Sequence, residues 1–357
     1  MTAPRLLVAS VGGDEDATAT FVRDQLAALR VAADGVARAR VWRRPSPGVI
    51  LGRFHRADPR ALDRDGDASG ARRGALSRRM SGGRIVPAGP GIACLTLVVP
   101  KVDWLDPAGA SLRPEQVLNR ASRPLLAMLR GDGIDAFYPG RDLVTAGGRT
   151  IAHLSFTAMR DGTAFVEMHV AERASFADLP RLLDLADPAG VAAADREALA
   201  GSTSVAEAGG TVRDDGDWAS RLAEAAAKAF GCEARVGEAG PVDVAAGGDV
   251  TTADDGAARD FLLSPGPVAE GSGSAATVAM LGVVEVAGRL RGDRLAGLEV
   301  TGDLIAPFHA IDDIAAECEG EPLRPANVRK ALARAMSRPR SFLLGLRELD
   351  ELILRLG

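Results

Sequence analysis

Lysine is nearly absent from this chain. Lys101, Lys228 and Lys330 are its only lysines, although lysine and arginine together number 43 in 357 residues. Positive charge therefore comes almost entirely from arginine, whose planar guanidinium matches carboxylate and phosphate groups. This shortage excludes a lysine-rich surface and leaves little scope for chemistry that needs a lysine.

Cysteine is also scarce. Cys94, Cys232 and Cys318 are far apart in the sequence and odd in number. This pattern excludes a disulfide framework and a cysteine-based zinc site, and it favours a reducing compartment. Cys94 lies within an apolar run, so we predict an unreactive core thiol there.

Long apolar runs and basic clusters are missing as well. No segment is apolar enough to cross a membrane, and the first residues do not resemble a signal peptide. The net charge is −5, and aromatic residues, which make up 4% of the chain, are not interleaved with basic ones. We therefore expect a cytoplasmic protein with no membrane partner and no nucleic-acid partner.

The remaining pattern is that of a folded α/β (α+β) chain. Strand-like runs crowd together between helices without a regular βαβ alternation, which predicts a mixed, largely antiparallel sheet flanked by helices. Strands are expected near 6–9, 39–42, 49–51, 92–99, 142–171, 276–286 and 298–300, and helices near 15–33, 114–131, 217–230, 310–318, 325–336 and 341–355. A turn is expected at 45–48 and a surface loop at 56–74.

A change in composition divides the chain. Residues 233–270 are rich in glycine, alanine and aspartate and poor in large apolar residues, which is typical of a linker or an elaborated loop. We therefore predict a first domain over 1–232 and a small α+β domain over 271–357.

One segment carries a clear chemical signal. Arg79, Ser81, Gly82, Gly83 and Arg84 lead directly into an apolar strand. Glycine lets a charged group approach the backbone, successive amides form a concavity that favours anions, and arginine adds forked donors. This segment, residues 79–84, is called the glycine cradle below, and the alternative is an ordinary glycine turn with solvated arginines.

A second signal lies in the predicted hairpin at 160–163. Asp-Gly suits a two-residue turn, and the resulting register places Glu167 and His169 on the same face as Thr150. An acid/base pair would then face the position of Thr150, which makes Glu167 and His169 weak catalytic candidates. The alternative is a solvated sheet face, and His153 is expected to point the other way, into a core or an interface.

Taken in order, these segments resemble the lipoate–protein ligase and octanoyltransferase family, which is related to biotin–protein ligase. The cradle resembles its RRxSGG signature. The other resembling segments are 41–45 and 49–55 (a hairpin in the family), 139–144, 148–152 and 201–207, followed in the second domain by 282–286 and 298–303.

The resemblance implies a substrate, cofactors and a partner. Members activate lipoate with ATP and Mg²⁺ as an acyl-adenylate, or carry octanoate, and pass the acyl group to a lysine of a lipoyl carrier domain. That carrier is a 2-oxoacid dehydrogenase E2 or a glycine cleavage H-type protein. The implied substrate-binding residues are Arg79, Ser81, Gly82, Gly83, Arg84, Gly140, Asp142, Thr150, Ile151 and Ala152.

The chain departs from the family where the chemistry occurs. Thr150 stands at the position of the family's site lysine, and a hydroxyl supplies no charge there. Losing such an electrostatic contact commonly costs about 10²–10³ in rate. Tyr138 lies near the place of the octanoyltransferases' nucleophilic cysteine, so the catalytic residue is unknown from the sequence.

Two functions therefore stay open. One is an ATP-dependent, AMP-forming ligase or an acyltransferase. The other is a non-catalytic relative that binds an acyl group or a nucleotide as a sensor, carrier or assembly partner.

Overall fold

The computed structural model describes residues 4–11, 17–44, 47–57, 75–178, 201–238 and 264–357. The strands are β1 (Arg5–Val11), β2 (Ala37–Trp42), β3 (Gly48–Leu51), β4 (Ala75–Arg78), β5 (Val86–Ala88), β6 (Ile92–Val99), β7 (Ala136–Phe137), β8 (Leu143–Ala146), β9 (Arg149–Ala158), β10 (Ala164–Ala171), β11 (Glu233–Glu238), β12 (Gly273–Ala279), β13 (Gly282–Arg291) and β14 (Arg294–Gly302). The helices are α1 (Ala17–Asp34), α2 (Pro114–Ala121), α3 (Arg123–Gly131), α4 (Asp215–Phe230), α5 (Phe308–Cys318), α6 (Pro325–Met336) and α7 (Leu349–Leu354).

A large sheet organises the first part of the chain. In the described ranges it has eight strands in the order β11-β1-β2-β6-β10-β9-β8-β7. β1 runs parallel to β11 and β2, whereas every other neighbouring pair is antiparallel. The predicted mixed, largely antiparallel sheet is therefore confirmed. Within the same ranges, no helix has the length and apolar character needed to cross a bilayer.

The central strands of this sheet bury both of their faces. Even-numbered residues of β10 join the main core with α2, α3 and α4. The opposite face is covered by α1 and by a small sheet, ordered β4-β3-β5. Glu167 and His169 lie on this second face and are buried, so the alternative of a solvated sheet face is wrong.

Three local expectations fail for identifiable reasons. β2 and β3 do not form a hairpin, because β2 lies in the main sheet and β3 in the small sheet. The helix expected over 114–131 is two helices separated at Ser122, since Pro124 cannot donate an N–H to the preceding turn. The helix expected over 341–355 is confined to α7, because Gly345 has φ 102°. The loop at 58–74 lies outside the described residues.

The β9–β10 hairpin differs by one residue from the expected turn. Gly162 adopts φ 103°, and the Met159 amide donates to the Thr163 carbonyl at 2.8 Å, so the loop between them has one residue more than the predicted turn. Because a one-residue slip moves every side chain to the other face, the partners of β10 change. Glu167 lies opposite Ser155, and His169 lies opposite His153.

A bulge in β9 then restores the position of Thr150. His153 pairs with Leu143 of β8, whereas Thr150 pairs with Thr145, which leaves Ile151 as an extra residue. Residues 143 and 145 are two positions apart in β8, so their side chains lie on the same face of the sheet. Thr150 is therefore on the face of Glu167 and His169, as predicted, but His153 is on that face too, contrary to expectation.

The second unit consists of an antiparallel sheet, β12-β13-β14, packed against α5, α6 and α7. It contacts the first unit directly: Phe342 stacks on Phe156 with ring centroids 4.9 Å apart. β11 extends the main sheet to Glu238, which is past the predicted boundary at 232. The linker at 239–263 is outside the described residues, so the domain boundaries stay a prediction.

Glu172 joins the end of β10 to α4. This carboxylate is 1% exposed and accepts from the Arg213 amide at 2.6 Å and from Trp218 Nε1 at 2.8 Å. Arg43 forms an ion pair with its second oxygen. One buried carboxylate therefore satisfies three donors, one from the end of β2 and two from the start of α4.

We predict that Glu172→Ala lowers the free energy of unfolding by about 2–5 kcal/mol, because the Arg213 amide and Trp218 Nε1 lose their acceptor. Arg43 loses one partner but still donates to the Arg213 carbonyl. Urea denaturation measures the change. Glu224→Ala is the matched control: its ion pair with Lys228 is exposed, and its loss should leave the denaturation midpoint nearly unchanged. Equal effects of the two substitutions would contradict this role of Glu172.

Candidate functional site

The glycine cradle lies between β4 and β5, beside the turn that follows β3. The Arg79 amide donates to the Leu51 carbonyl at 3.0 Å, and the Arg53 amide donates to the Ser81 carbonyl at 2.9 Å. Arg78 donates to three carbonyls of the turn, including that of His55 at 2.7 Å. Burial, followed by the charge of Arg53, lowers the pKa of Arg78 to about 9.

Arg79 shapes the cradle from inside. Its side chain is buried, and it donates to the Gly82 carbonyl from Nε at 3.0 Å and from Nη2 at 2.6 Å, and to the Arg84 carbonyl at 2.6 Å. Burial lowers its pKa, and the carboxylate of Glu167 opposes that shift. Nη1 has no hydrogen-bond partner among the described residues. The guanidinium of Arg79 is therefore buried and not solvated, and its Nη1 nitrogen keeps unused hydrogen-bonding capacity within the described structure.

The cradle is fastened to the polar face of the main sheet through Ser81. The Ser81 amide donates to Glu167 Oε2 at 2.6 Å, and the hydroxyls of Ser81 and Ser155 are hydrogen-bonded. All three residues are buried. Glu167 therefore anchors the cradle and occupies one amide that an anion would otherwise use.

The two cradle glycines allow a close approach by the second unit. The Gly83 amide donates to the Leu304 carbonyl at 2.6 Å. A Cβ on Gly82 would lie 2.0 Å from the same carbonyl oxygen, and Gly83 has φ 83°. Both positions require glycine. The predicted anion concavity thus holds a backbone carbonyl from elsewhere in the chain.

The segment 302–306 covers the cradle through further contacts. The Gly302 amide donates to the Phe54 carbonyl at 2.9 Å, and His55 Nε2 lies 3.0 Å from Asp303 Oδ1. The Thr157 hydroxyl donates to the Ala306 carbonyl at 3.0 Å. Nothing in the local pattern of 302–306 indicates this contact, which joins residues far apart in the sequence.

Arg84 and Asp142 form a buried pair next to the cradle. Arg84 Nε donates to Asp142 Oδ2 at 2.7 Å, and Asp142 is 1% exposed. Burial raises the pKa of Asp142, and the Arg84 charge opposes this. Oδ1 has no hydrogen-bond partner in the described part of the chain. Gly140, two residues earlier, is exposed with φ 86° and serves the turn.

His153 and His169 are neighbouring buried imidazoles on the same face. Burial lowers the pKa of each well below its usual value, with the charge of Arg79 acting in the same direction. His153 also lies against Phe176, with ring centroids 4.5 Å apart. Neither nitrogen of His153 makes a hydrogen bond within the described residues. Both histidines are therefore neutral near pH 7.

Thr150 is half-buried at the edge of this region. Its amide donates to the Gly201 carbonyl at 2.9 Å, and its carbonyl accepts from the Thr203 amide at 2.8 Å. The side chains of Ile151 and Ala152 lie in the main core instead, because the bulge turns both away from the cradle. Only their backbones remain close to Thr150.

Three of the buried side chains that keep unpartnered polar atoms within the described ranges influence one another: Arg79 (Nη1), Asp142 (Oδ1) and His153 (both ring nitrogens). We call them the orphan cluster. Arg79 lowers the pKa of His153, and Asp142 raises that of Arg79, so they share one electrostatic environment. A cation, a carboxylate and a neutral imidazole can together bind a polar group that both accepts and donates hydrogen bonds.

Comparison with solved structures identifies the architecture. The crystal structure of P. falciparum LipL1 in complex with lipoate aligns over 99% of this chain and 99% of its own, with a TM-score of 0.67 at 12% identity. This chain has the lipoate–protein ligase fold. Lipoate-protein ligase A bound with ATP aligns over 73% of this chain and 94% of its own, with a TM-score of 0.50 at 15% identity. No family model and no curated protein matches the sequence.

In this lipoate–protein ligase fold, all three lysines of the chain lie away from the cradle. Lys101 is exposed where β6 ends, Lys228 is exposed and pairs with Glu224, and Lys330 is exposed on α6. The cations of the site are therefore arginines. The described residues include no cluster of three or more histidine, cysteine or acidic side chains arranged around a metal position.

We predict that Gly82→Ala weakens the docking of the second unit on this ligase fold, because the added methyl group would overlap the Leu304 carbonyl. Overpacking of this kind costs about 1–3 kcal/mol, and limited proteolysis together with urea denaturation should detect it. Gly237→Ala is the control, since a Cβ there meets no atom within 4 Å. Unchanged proteolysis of Gly82→Ala would show that the second unit does not rest on the cradle.

Proposed function

We propose that this chain is a lipoate–protein ligase-like protein. It binds lipoate or a medium-chain acyl group, with ATP, at the orphan cluster, and passes the acyl group to a lysine of a lipoyl carrier domain. The observation that carries this proposal is the orphan cluster itself. Buried polar atoms without partners are costly, and Arg79, Asp142 and His153 meet on the face where the sequence resemblance places the substrate.

The chemistry of the cluster suits an acyl carboxylate and a nucleotide. Arg79 Nη1 offers a charged donor to a carboxylate or a phosphate oxygen. Asp142 Oδ1 offers an acceptor to a ribose hydroxyl, and it is also the free carboxylate oxygen that fits Mg²⁺ carried by ATP. LipL1 was solved with lipoate and lipoate-protein ligase A with ATP, which supports both ligands.

The second unit has a direct part in this proposal. A phosphate or carboxylate that reaches the Gly83 amide must displace the Leu304 carbonyl, which now accepts that hydrogen bond. Binding at the cradle and docking of segment 302–306 therefore compete for one donor.

The cysteines agree with the proposed cytoplasmic location. All three are buried and unpaired, and burial raises the pKa of the Cys94 thiol to about 12. None is placed to act as an acyl-carrying nucleophile, so the proposed transfer proceeds without a cysteine thioester.

Thr150 favours a second candidate function, a non-catalytic acyl or nucleotide binder. The hydroxyl supplies no charge, and the exposed lysines lie elsewhere. The arginines near the reacting centre donate to carbonyls and to Asp142, so their charges are fixed in place. Such a protein would bind the ligand without forming an adenylate.

The first test is calorimetric titration of the full chain with lipoic acid and octanoic acid, each with and without ATP·Mg²⁺, with pyrophosphate release followed in the same samples. We expect acyl binding, weakened about 10-fold or more in Arg84→Gln, because the positive charge that balances the Asp142 carboxylate beside the anionic ligand is lost. Arg329→Gln is the control, since that arginine pairs with Asp350 on the surface of the second unit. No binding of either acid by the unmodified chain would refute the proposal, and binding without pyrophosphate would select the non-catalytic candidate.

A second prediction distinguishes a chain that lacks only the catalytic charge from a chain that lacks a ligand pocket. In a parent that binds ligand but releases no detectable pyrophosphate, Thr150→Lys should produce measurable release, because a cation restored at the reacting centre is worth about 10²–10³ in rate. Thr211→Lys, on an exposed loop, is the matched control. Failure of Thr150→Lys in a folded, ligand-binding variant would mean that the position of Thr150 does not face the reacting atoms.

A further inference from the structure

His153 occupies a position that sequence reasoning assigned to a core or an interface. The longer β9–β10 loop places it on the face of Glu167, and it is 6% exposed there. It lies one residue before Leu154, whose amide donates to the Asp142 carbonyl at 2.7 Å. The backbone of Asp142 is close enough to influence the pKa of His153, yet neither ring nitrogen forms a hydrogen bond of acceptable geometry with a described residue.

A buried imidazole without hydrogen-bond partners destabilises the fold unless a bound group satisfies its ring nitrogens. Burying a polar group without a hydrogen bond destabilises the fold, and native structures rarely contain such groups without a reason. The ring is held in place by Phe176, whose centroid lies 4.5 Å away. The fold therefore fixes the orientation of His153, while neither ring nitrogen makes a well-formed hydrogen bond to a residue that the structure describes.

The groups around His153 determine its protonation state. Arg79 and Arg84 face it from the cradle, His169 from β10, and Asp142 from the residue before β8. Desolvation and the two arginines disfavour the charged ring, so His153 is neutral, with one donor and one acceptor. Arg79, whose charge influences the pKa of His153, keeps a nitrogen without a partner among the described residues.

We infer that His153 is a ligand-binding residue, whose neutral imidazole donates a hydrogen bond to the carboxylate or carbonyl oxygen of the acyl substrate while Arg79 neutralises its charge. This inference rests on the proposed function and adds a residue to it. The bulge at Ile151 brings Thr150 to the same face, so two uncharged donors stand near the position where the resemblance places a lysine. The acyl oxygen is recognised by hydrogen bonds from these groups and by charge from arginine alone.

The test is His153→Phe, which keeps a planar ring against Phe176 and removes both nitrogens. Loss of a hydrogen bond to a charged group should weaken lipoate binding about 10- to 100-fold. The melting temperature of the free protein should rise by about 2–4 °C, because two unsatisfied buried atoms are removed. Lower affinity with higher stability is the expected signature, since a purely structural histidine would lower both.

Two further variants make the result decisive. His153→Gln retains a donor and an acceptor and should recover most of the affinity. His309→Phe removes another buried histidine, in the first turn of α5, and should lower lipoate affinity far less than His153→Phe does. If His153→Phe lowers both stability and affinity, recovery by His153→Gln supports the inference, and no recovery overturns it in favour of a structural role.

The outcomes also separate this inference from the proposed function. If the unmodified chain binds lipoate and His153→Phe binds it equally well, the ring is met by water only, and the inference alone fails. If the unmodified chain binds neither lipoate nor octanoate, the proposed function fails and the inference with it.

Discussion

The hydrogen bond from the Ser81 amide to Glu167 is the contact on which the site depends. It joins the cradle to the polar face of the main sheet at 2.6 Å, and its carboxylate provides negative charge next to the buried guanidinium of Arg79. A buried cation without such compensation would be prohibitively costly. The position of the cradle and the retention of Arg79 in the interior both rely on this carboxylate.

The arginines of the site work differently from the usual picture of a flexible cationic clamp. Arg79 donates to two carbonyls of its own turn, and Arg84 is held by Asp142. Their side chains are thus fixed before any ligand arrives, so they supply a preorganised field with little loss of side-chain entropy on binding.

The fold could be predicted from the sequence to a large extent, because alternating strands, helical periodicity and the glycine cradle are local patterns. The face assignments could not. An Asp-Gly pair is compatible with hairpin loops of two or three residues. The three-residue loop of this structure places His153 on the face opposite to the predicted one. The bulge at Ile151 has no distinctive residue, yet it returned Thr150 to the predicted face by cancelling that error. Gly82 is covered by the carbonyl of Leu304, a residue more than 200 positions later in the chain. No local sequence pattern encodes such a contact.

If the cradle binds the ligand proposed above, the Leu304 carbonyl on the Gly83 amide makes the second unit an intramolecular competitor for that site. Because it is tethered, its effective concentration is set by the chain and does not change with dilution. Ligand affinity at the cradle is then reduced by the fraction of molecules in which the cradle is covered. Contacts far from the site that hold the second unit in place, such as the ion pair of Arg160 with Asp313, thereby affect the apparent dissociation constant of the ligand. Sequence changes on that distant surface can tune ligand affinity over evolution without altering any residue that touches the ligand.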